Sequence, residues 1–247
     1  MNWHLIETGF SSGKFNMDYD YKLASECPPD EAFLRFYRWN PFCISLGANQ
    51  NLSDINLAEA RKDGIDVVKR PTGGRAILHA EELTYSAVIP LNDKLTPKEI
   101  YSRISYALIN GLTIYNTVLS QAELETVQPN FPSLLKEDEN IMCFASTAKS
   151  EVKFEGKKLI GSAQRKMKNV ILQHGSILCG GFHKKLPDYL NLSQLQKEIF
   201  KKELLTKTIE LESILNQKTD YEKLSECLIA GFENVFEIDF IESKIKI

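Results

Sequence analysis

The segment that most constrains the fold begins at Thr96-Pro97-Lys98-Glu99. Thr96 can cap a helix, Pro97 suits the first helical position, and Glu99 can reach back to the cap. Ile100, Ile104, Leu108 and Leu112 then recur at a spacing of four, giving that helix one apolar stripe. Around it, short strand-like runs alternate with amphipathic segments. The order is mixed α and β, without the regular βαβ alternation of a doubly wound sheet.

Trp3 to Glu7 reads as a strand leading into a Gly/Ser turn at Gly9 to Gly13. Phe33 to Trp39 alternates and breaks at Asn40-Pro41, and Phe42 to Leu46 is an apolar run ending at Gly47, so these two are expected to pair as a hairpin. Ser53 to Asp63 reads as a helix capped by Ser53. Ile65 to Lys69 is a short β-branched run that stops at Arg70-Pro71, where a central strand could not continue. Gln128 to Asn140, with two prolines and a charged tail, predicts a long loop. Lys149 to Gly161 predicts a hairpin turning near Gly156-Lys157, and Asn169 to Leu178 a strand interrupted at His174-Gly175. From about Leu186 the chain is helix-rich, with a short strand near Phe236 to Ile241. No repeat, low-complexity tract or interdomain linker stands out.

Composition narrows the class. The net charge is −3, which argues against a general nucleic-acid binder. Hydrophobic residues at 43% and charged residues at 26% are ordinary for a folded chain, and no apolar run of membrane-spanning length occurs. The start, MNWHLIETGF, has neither a basic n-region nor an apolar h-region, so no secretory signal is expected. The five cysteines, Cys27, Cys43, Cys143, Cys179 and Cys227, form no CxxC pair, which excludes a zinc knuckle and a thioredoxin-type motif. An odd count without a signal fits free thiols in the cytoplasm.

Three segments could carry chemistry. In Arg70-Pro-Thr-Gly-Gly-Arg-Ala-Ile-Leu-His79, Gly73 and Gly74 permit positive φ angles and close backbone approach, while Arg70 and Arg75 offer donors suited to carboxylate or phosphate. The plainer reading is a Gly-Gly turn with two solvated arginines. In Gly156-Lys-Lys-Leu-Ile-Gly-Ser-Ala-Gln164, a lysine on a short strand precedes a turn of small residues that could aim several N–H groups at one oxygen. The plainer reading is a hairpin with exposed lysines. Cys143 lies 15 residues before Lys158, whose cation would favour its thiolate. The plainer reading is a buried core cysteine. His79 and His174 read alone as hydrogen-bonded packing residues, and neither has a partner at metal-ligand spacing, so no metal is predicted. The Glu81-Glu82 pair reads as solvated.

Taken in order, these segments resemble the biotin/lipoate protein ligase and lipoate transferase family over roughly residues 1 to 215. The resemblance runs through Phe15-Asn16-Met17…Asp20, Leu34-Arg35-Phe36-Tyr37, Ile44-Ser45-Leu46-Gly47, the Arg70-to-His79 loop and Leu83-Thr84-Tyr85-Ser86. Lys158-Leu-Ile-Gly-Ser-Ala-Gln164 and Gln173-His174-Gly175-Ser176 complete it. Arg75 where ATP-dependent ligases carry a third glycine, and Cys143-Phe144 ahead of the family lysine, resemble the cysteine-dependent octanoyltransferase branch. Two positions depart: Ala80 where the family often has Asp, and Asp18-Tyr19-Asp20-Tyr21 where it usually has Ala-Leu-Asp-Glu.

The resemblance implies an α+β fold, a mixed, mostly antiparallel sheet flanked by helices as in class II aminoacyl-tRNA synthetases and biotin ligases. It implies a single catalytic domain over 1–247 with its core at about 30–215. It implies octanoyl transfer from acyl carrier protein to Cys143, then to a lysine of a lipoyl domain or glycine-cleavage H protein, with no cofactor; charge, hydropathy and ligand spacing separately point to no nucleic acid, no membrane and no metal, and monomer is the default. Lys158 would tune Cys143 and steady the oxyanion, helped by N–H groups of Gly161, Ser162 and Ala163. Arg70, Thr72, Gly73, Gly74, Arg75, His79, Gln164, His174 and Gly175 would shape the substrate site, with His79 in an orienting or proton-handling role. The alternatives are an ATP-dependent lipoate–protein ligase and a non-catalytic binder of lipoyl domains.

Overall fold

The computed structural model describes residues 1–91, 95–125 and 151–242. The chain opens with strand β1 (Asn2–Ser11), helix α1 (Gly13–Glu26) and strands β2 (Glu31–Trp39) and β3 (Cys43–Leu46). Helix α2 (Leu57–Lys62), strands β4 (Asp66–Lys69), β5 (Ile77–His79) and β6 (Glu82–Pro90), and helix α3 (Pro97–Tyr115) follow. Then come β7 (Glu123–Leu124), β8 (Val152–Phe154), β9 (Lys157–Met167) and β10 (Val170–Leu178). Helices α4 (Gln194–Lys207), α5 (Leu211–Leu215) and α6 (Tyr221–Phe236) precede strand β11 (Phe240–Glu242). The predicted loop at Gln128–Asn140, and Cys143, lie outside the described residues.

Eight strands form one sheet in the order β11-β1-β2-β6-β10-β9-β8-β7. β1 runs parallel to β11 and β2, and every other pairing is antiparallel. A small second sheet has the order β4-β3-β5.

The central strands β6 and β10 are buried along their whole length, because both faces of the sheet are covered. Alternation still sorts their side chains into two faces. On one face Leu34, Phe36, Tyr85, Ala87, Ile89, Ile171 and Ile177 pack against the apolar stripe of α3 and against Leu224, Leu228 and Phe232 of α6. The predicted Thr96–Glu99 capping box is present, and Ile100, Ile104, Leu108 and Leu112 are all buried. The two helices touch through glycine. A Cβ on Gly111 would lie 2.6 Å from Leu228 Cα, and one on Gly231 would lie 2.4 Å from the Ala107 carbonyl oxygen. On the other face Phe33, Val88 and Leu172 meet α1 at Ala24. Beside them run Arg35, Tyr37, Glu82, Thr84, Ser86, His174 and Ser176, all buried. The small sheet packs its Ile44, Leu46 and Leu78 against Phe200 and Leu204 of α4.

Several local expectations are corrected. The runs at 33–39 and 42–46 form no hairpin, because both edges of β2 are already taken by β1 and β6, and β3 joins the small sheet. The helix expected at 53–63 starts only at Leu57, capped by Asn56, whose side chain accepts from the Glu59 amide at 3.2 Å. Ile55 is held extended in a bridge to Leu190, which no helix would allow. No turn occupies Gly9 to Gly13: β1 continues to Ser11, absorbing Gly9 (φ +59°) at a bulge, and Ser12 caps α1. β10 runs through His174-Gly175 without interruption. The β8–β9 hairpin turns at Glu155 (φ +49°) and Gly156 (φ +72°), next to the predicted position.

Candidate active site

A cleft of roughly 540 Å³, measured out to its mouth, opens between the polar strip of the large sheet and the small sheet. Arg70, Gly74, His79, Lys158, Gly161, Ser162, Ala163, His174 and Gly175, all marked out by the sequence, line it. Segments far apart in the chain are thus brought together.

The loop after β4 is stapled by its own arginine. Arg70, 4% exposed, donates from Nη1 to the Ser45 carbonyl (2.8 Å) and Ser45 Oγ (3.1 Å). Its Nε and Nη2 donate to the Gly73 carbonyl (3.2 and 2.9 Å), and Nη2 also to that of Arg75 (2.7 Å). Arg70 is therefore neither solvated nor a ready ligand donor, because its fork holds the turn. Gly73 and Arg75 contribute those carbonyls. Gly74 adopts φ +92°, and its oxygen lies where a Cβ on Gly47 would come within 1.9 Å, so both glycines are sterically required. Arg165 of β9 donates to the Pro71 carbonyl at 2.6 Å, tying loop to sheet.

Two carboxylate–histidine–hydroxyl chains support the loop from below. In the first, Glu82 Oε1 faces His79 Nδ1 at 2.8 Å and accepts from the hydroxyls of Thr84 and Ser176, each at 2.7 Å. His79 Nε2 lies 2.7 Å from Ser45 Oγ. Arg70 can only donate, so Ser45 Oγ accepts from it, and the Glu82 carboxylate accepts from His79 Nδ1. Trp39 stacks on the His79 ring at 4.0 Å and donates to Thr84 at 2.7 Å. Burial alone would raise the Glu82 carboxyl, but His79, Thr84 and Ser176 hold it below its usual range. Glu82 is thus buried and partnered, against the expectation of a solvated pair. Ala80 offers no carboxylate beside His79, and Glu82 supplies one.

In the second chain, His174 Nε2 lies 2.6 Å from Thr72 Oγ1, and Nδ1 lies 3.5 Å from Asp20 Oδ2. Asp20 also accepts from Arg35 Nη1 (2.8 Å) and the Tyr37 hydroxyl (3.0 Å), and Arg35 donates to Asn16 Oδ1 (2.6 Å). Burial would raise the Asp20 carboxyl, but His174 and Arg35 outweigh it and hold it low. For His174 burial wins, pushing its pKa below the usual value despite Asp20.

At the far wall, Lys158 is 3% exposed, and its Nζ lies 3.0 Å from Glu151 Oε2. The plain reading of an exposed hairpin lysine therefore fails. Glu151 Oε1 also accepts from the Ser162 amide at 3.3 Å. The expected turn of small residues is a continuous strand, in which successive amides point to opposite sides, so Gly161, Ser162 and Ala163 do not aim at one point. Gly175 lets β10 press on β9: a Cβ there would lie 2.5 Å from the Gly161 carbonyl oxygen. Ser162 Oγ pairs with the Tyr85 hydroxyl at 2.7 Å, and burial pushes that phenol up to about 12. Gln164, expected in the site, instead turns to the start of α3, donating to the Pro97 carbonyl (3.0 Å) and Gln173 (3.1 Å).

Local sequence reading missed Asn16, Asp20, Arg35, Ser45, Glu82 and Glu151 as site residues. Arg35 carried a signal, as a charge inside the apolar run from Ala32 to Trp39. Asn16 and Asp20 carried another, a spacing of four on one helix. Among the described residues no group of three or more His, Cys, Asp or Glu is arranged to hold a metal ion, and no helix is long and apolar enough to cross a membrane.

The pattern describing the lipoyl protein ligase A/B catalytic domain matches residues 12–233. Octanoyltransferase LipM of Clostridioides difficile (strain 630) is 34% identical over 250 residues, covering 98% of this chain and 90% of that protein. Octanoyltransferase LipM of Bacillus subtilis (strain 168) is 32% identical over 252 residues, covering 96% and 87%. Among solved structures, an archaeal bi-partite lipoate protein ligase from Thermoplasma acidophilum superposes with a TM-score of 0.78 at 21% identity, covering 100% of this chain and 88% of that one. Lipoate-protein ligase A bound with ATP gives 0.76 at 21% identity, covering 100% and 90%. The fold is the expected α+β arrangement of the class II synthetase type. The chain belongs to the lipoyl protein ligase A/B catalytic domain family.

Proposed function

We propose that this chain is an octanoyltransferase of lipoate biosynthesis. It moves octanoyl from octanoyl-acyl carrier protein, through a thioester on Cys143, to the lysine of a lipoyl domain or of glycine-cleavage H protein. It acts in the cytoplasm as one catalytic domain. The observation that carries this reading is the near-full-length similarity to octanoyltransferases, joined to a buried lysine on the wall of the cleft.

The first step exchanges one thioester for another and is nearly balanced. The second turns a thioester into an amide and runs downhill, so no ATP is consumed. Covalent catalysis divides an encounter of two bulky carrier proteins into two simpler ones. The other four cysteines are poor nucleophiles: burial raises Cys43 strongly, Cys179 to about 12 and Cys27 to about 11, and it raises Cys227 as well. Cys143 precedes Glu151 by eight positions in sequence, and Glu151 lies on the cleft wall. Lys158 favours the thiolate and steadies the tetrahedral oxyanion by its charge. Met17, Tyr37, Trp39 and Ile77 give the cleft an apolar stretch for the acyl chain, where each buried methylene contributes about 0.8 kcal/mol.

Intact-mass measurement after mixing with octanoyl-acyl carrier protein, without ATP, tests the reading. One octanoyl adduct is expected, released by hydroxylamine and absent in Cys143→Ala. No adduct, with product formed instead from free lipoate plus ATP, would establish the ligase reading. Binding of lipoyl domain with neither reaction would establish a non-catalytic binder.

A further inference from the structure

We infer that Met17 sets the length of acyl chain the cleft accepts, by closing its apolar end. This rests on the acyl transfer proposed above. One row of paired residues crosses the large sheet beneath the cleft. Tyr37 of β2 faces Thr84 of β6, Thr84 faces Ser176 of β10, and Ser176 faces Gly161 of β9. All four line the cleft. Three strand spacings of about 4.8 Å make the row about 14 Å long. Its Gly161 end lies on the strand that carries Lys158, and its Tyr37 end is walled by Met17 and Trp39. The polar acyl carbonyl suits the Lys158 end and the hydrocarbon tail the other. An extended eight-carbon chain, with bonds of about 1.5 Å, spans about 9 Å. Its last methyl keeps about 4 Å from the wall it touches. An octanoyl chain laid along the row therefore ends at the Tyr37 end, against Met17.

The other groups at that end are fixed by hydrogen bonds. Tyr37 donates to Asp20 at 3.0 Å, and Trp39 donates to Thr84 at 2.7 Å while stacking on His79. Met17 comes from the buried face of α1, which also presents Gly13, Asn16 and Asp20. Those three pin the helix on either side of it. A Cβ on Gly13 would lie 2.4 Å from Cys43 Sγ. Asn16 Nδ2 donates to the carbonyls of Ser11 (3.2 Å) and Arg38 (3.3 Å), and Asp20 accepts from Arg35 at 2.8 Å. Met17 itself is 6% exposed and packs with Tyr37, Trp39, Cys43 and Val68. Its unbranched thioether is the adaptable part of this wall. A helix so pinned cannot move in to fill a space left by a smaller side chain, so a cavity there persists. Alanine removes the three outer heavy atoms of Met17, which leaves room for about two further methylenes of acyl chain. Phenylalanine, bulkier and stiffer, intrudes on the slot and shortens it.

Chain-length profiles test this. Wild type, Met17→Ala and Met17→Phe are mixed with the hexanoyl, octanoyl, decanoyl and dodecanoyl thioesters of acyl carrier protein, and the rate of adduct formation is read by intact mass. In Met17→Ala the ratio of decanoyl to octanoyl rates should rise about 15-fold, the equivalent of two methylenes at about 0.8 kcal/mol each. Dodecanoyl should gain less than decanoyl. Met17→Phe should shift the profile the other way, raising hexanoyl relative to octanoyl. Urea midpoints establish that each variant is folded, and where the Ala variant is not, the Phe variant decides. An equal loss at every chain length would reduce Met17 to a packing residue and overturn the inference. So would a decanoyl-to-octanoyl ratio unchanged in folded Met17→Ala. If wild type forms no adduct with any thioester and uses free lipoate with ATP, the transferase reading fails. The rates with free octanoate and decanoate plus ATP then decide Met17 alone: a shifted ratio upholds its role, and an unchanged one removes it.

Discussion

The two faces of the large sheet are built from the same strands and behave as different materials. On β2, β6 and β10, one set of alternate residues (Leu34, Phe36, Tyr85, Ala87, Ile89, Ile171 and Ile177) packs on α3 and α6. The neighbouring set (Arg35, Tyr37, Glu82, Thr84, Ser86, His174 and Ser176) lies equally buried on the cleft side. The first face is held by apolar burial, which is non-directional and tolerates substitutions that conserve volume. The second, Ser86 apart, is held by directional hydrogen bonds among its polar side chains. The cleft needs that property. Arg70 holds the Gly73-Gly74 loop while bonded to Ser45, whose hydroxyl continues through His79 to Glu82.

The largest predicted effect tests whether the polar face is the less forgiving one. Arg35 and Asp20 form an ion pair with both side chains fully buried, and Arg35 also holds Asn16 and Thr8. Arg35→Ala strands the Asp20 charge and should destabilise the fold by about 3–5 kcal/mol. Leu108→Ala on the apolar side should cost about 3 kcal/mol, with activity per folded molecule kept. Urea midpoints and activity assays on both variants decide the matter. Equal activity losses per folded molecule would erase the distinction between the faces.

A smaller effect sharpens the comparison at the loop. A Cβ on Gly47 would overlap the Gly74 carbonyl oxygen, which is backbone and cannot swing aside as a side chain would. Gly47→Ala should therefore displace the loop. The expected cost is about 1–3 kcal/mol of stability, as for other overpacking, with a disproportionate loss of turnover. If turnover falls only as far as the folded fraction does, the position of this loop does not matter to the reaction.

The apolar face was the more legible one in sequence. The Thr96 cap and the four-residue spacing of α3 are local signals, and the structure keeps them unaltered. The β8–β9 turn was also local, since Gly156 tolerates the positive φ that a two-residue hairpin demands. The pairing of 33–39 with 42–46 was misread because strand partners are settled by long-range competition, here by β1 and β6 for the edges of β2. The cleft was legible as a set of motifs but not as a network. Arg70, Lys158 and His174 were singled out, yet their partners Ser45, Glu151 and Asp20 lie 25, 7 and 154 positions away, and no spacing rule links them. Gln164 was drawn in by its neighbours, but its amide turns to the Pro97 carbonyl at the start of α3 and to Gln173.

The smallest effect separates the faces by pH. Burial holds the His174 pKa below that of an unfolded histidine, about 6.5. Between those two values the unfolded chain takes up a proton that the folded protein does not. Stability is therefore complete above about pH 6.5 and declines as pH falls through that window. Asp20 and Glu82 have lowered pKa values, so their contribution is present above about pH 4 and is lost as pH falls further, through their folded values. Acid should thus weaken the fold in two stages, both arising largely from the cleft side. His183, also buried with a lowered pKa, adds to the first stage from a separate cluster with Glu210. His174→Gln keeps a side chain able to bridge Thr72 and Asp20 but removes the titration. Urea midpoints at about pH 7.5, 5.5 and 3.5 should therefore show a smaller first decline in this variant, with the second unchanged. An undiminished first decline would assign that stage to His183, and the polar face would then carry its acid sensitivity in its carboxylates alone.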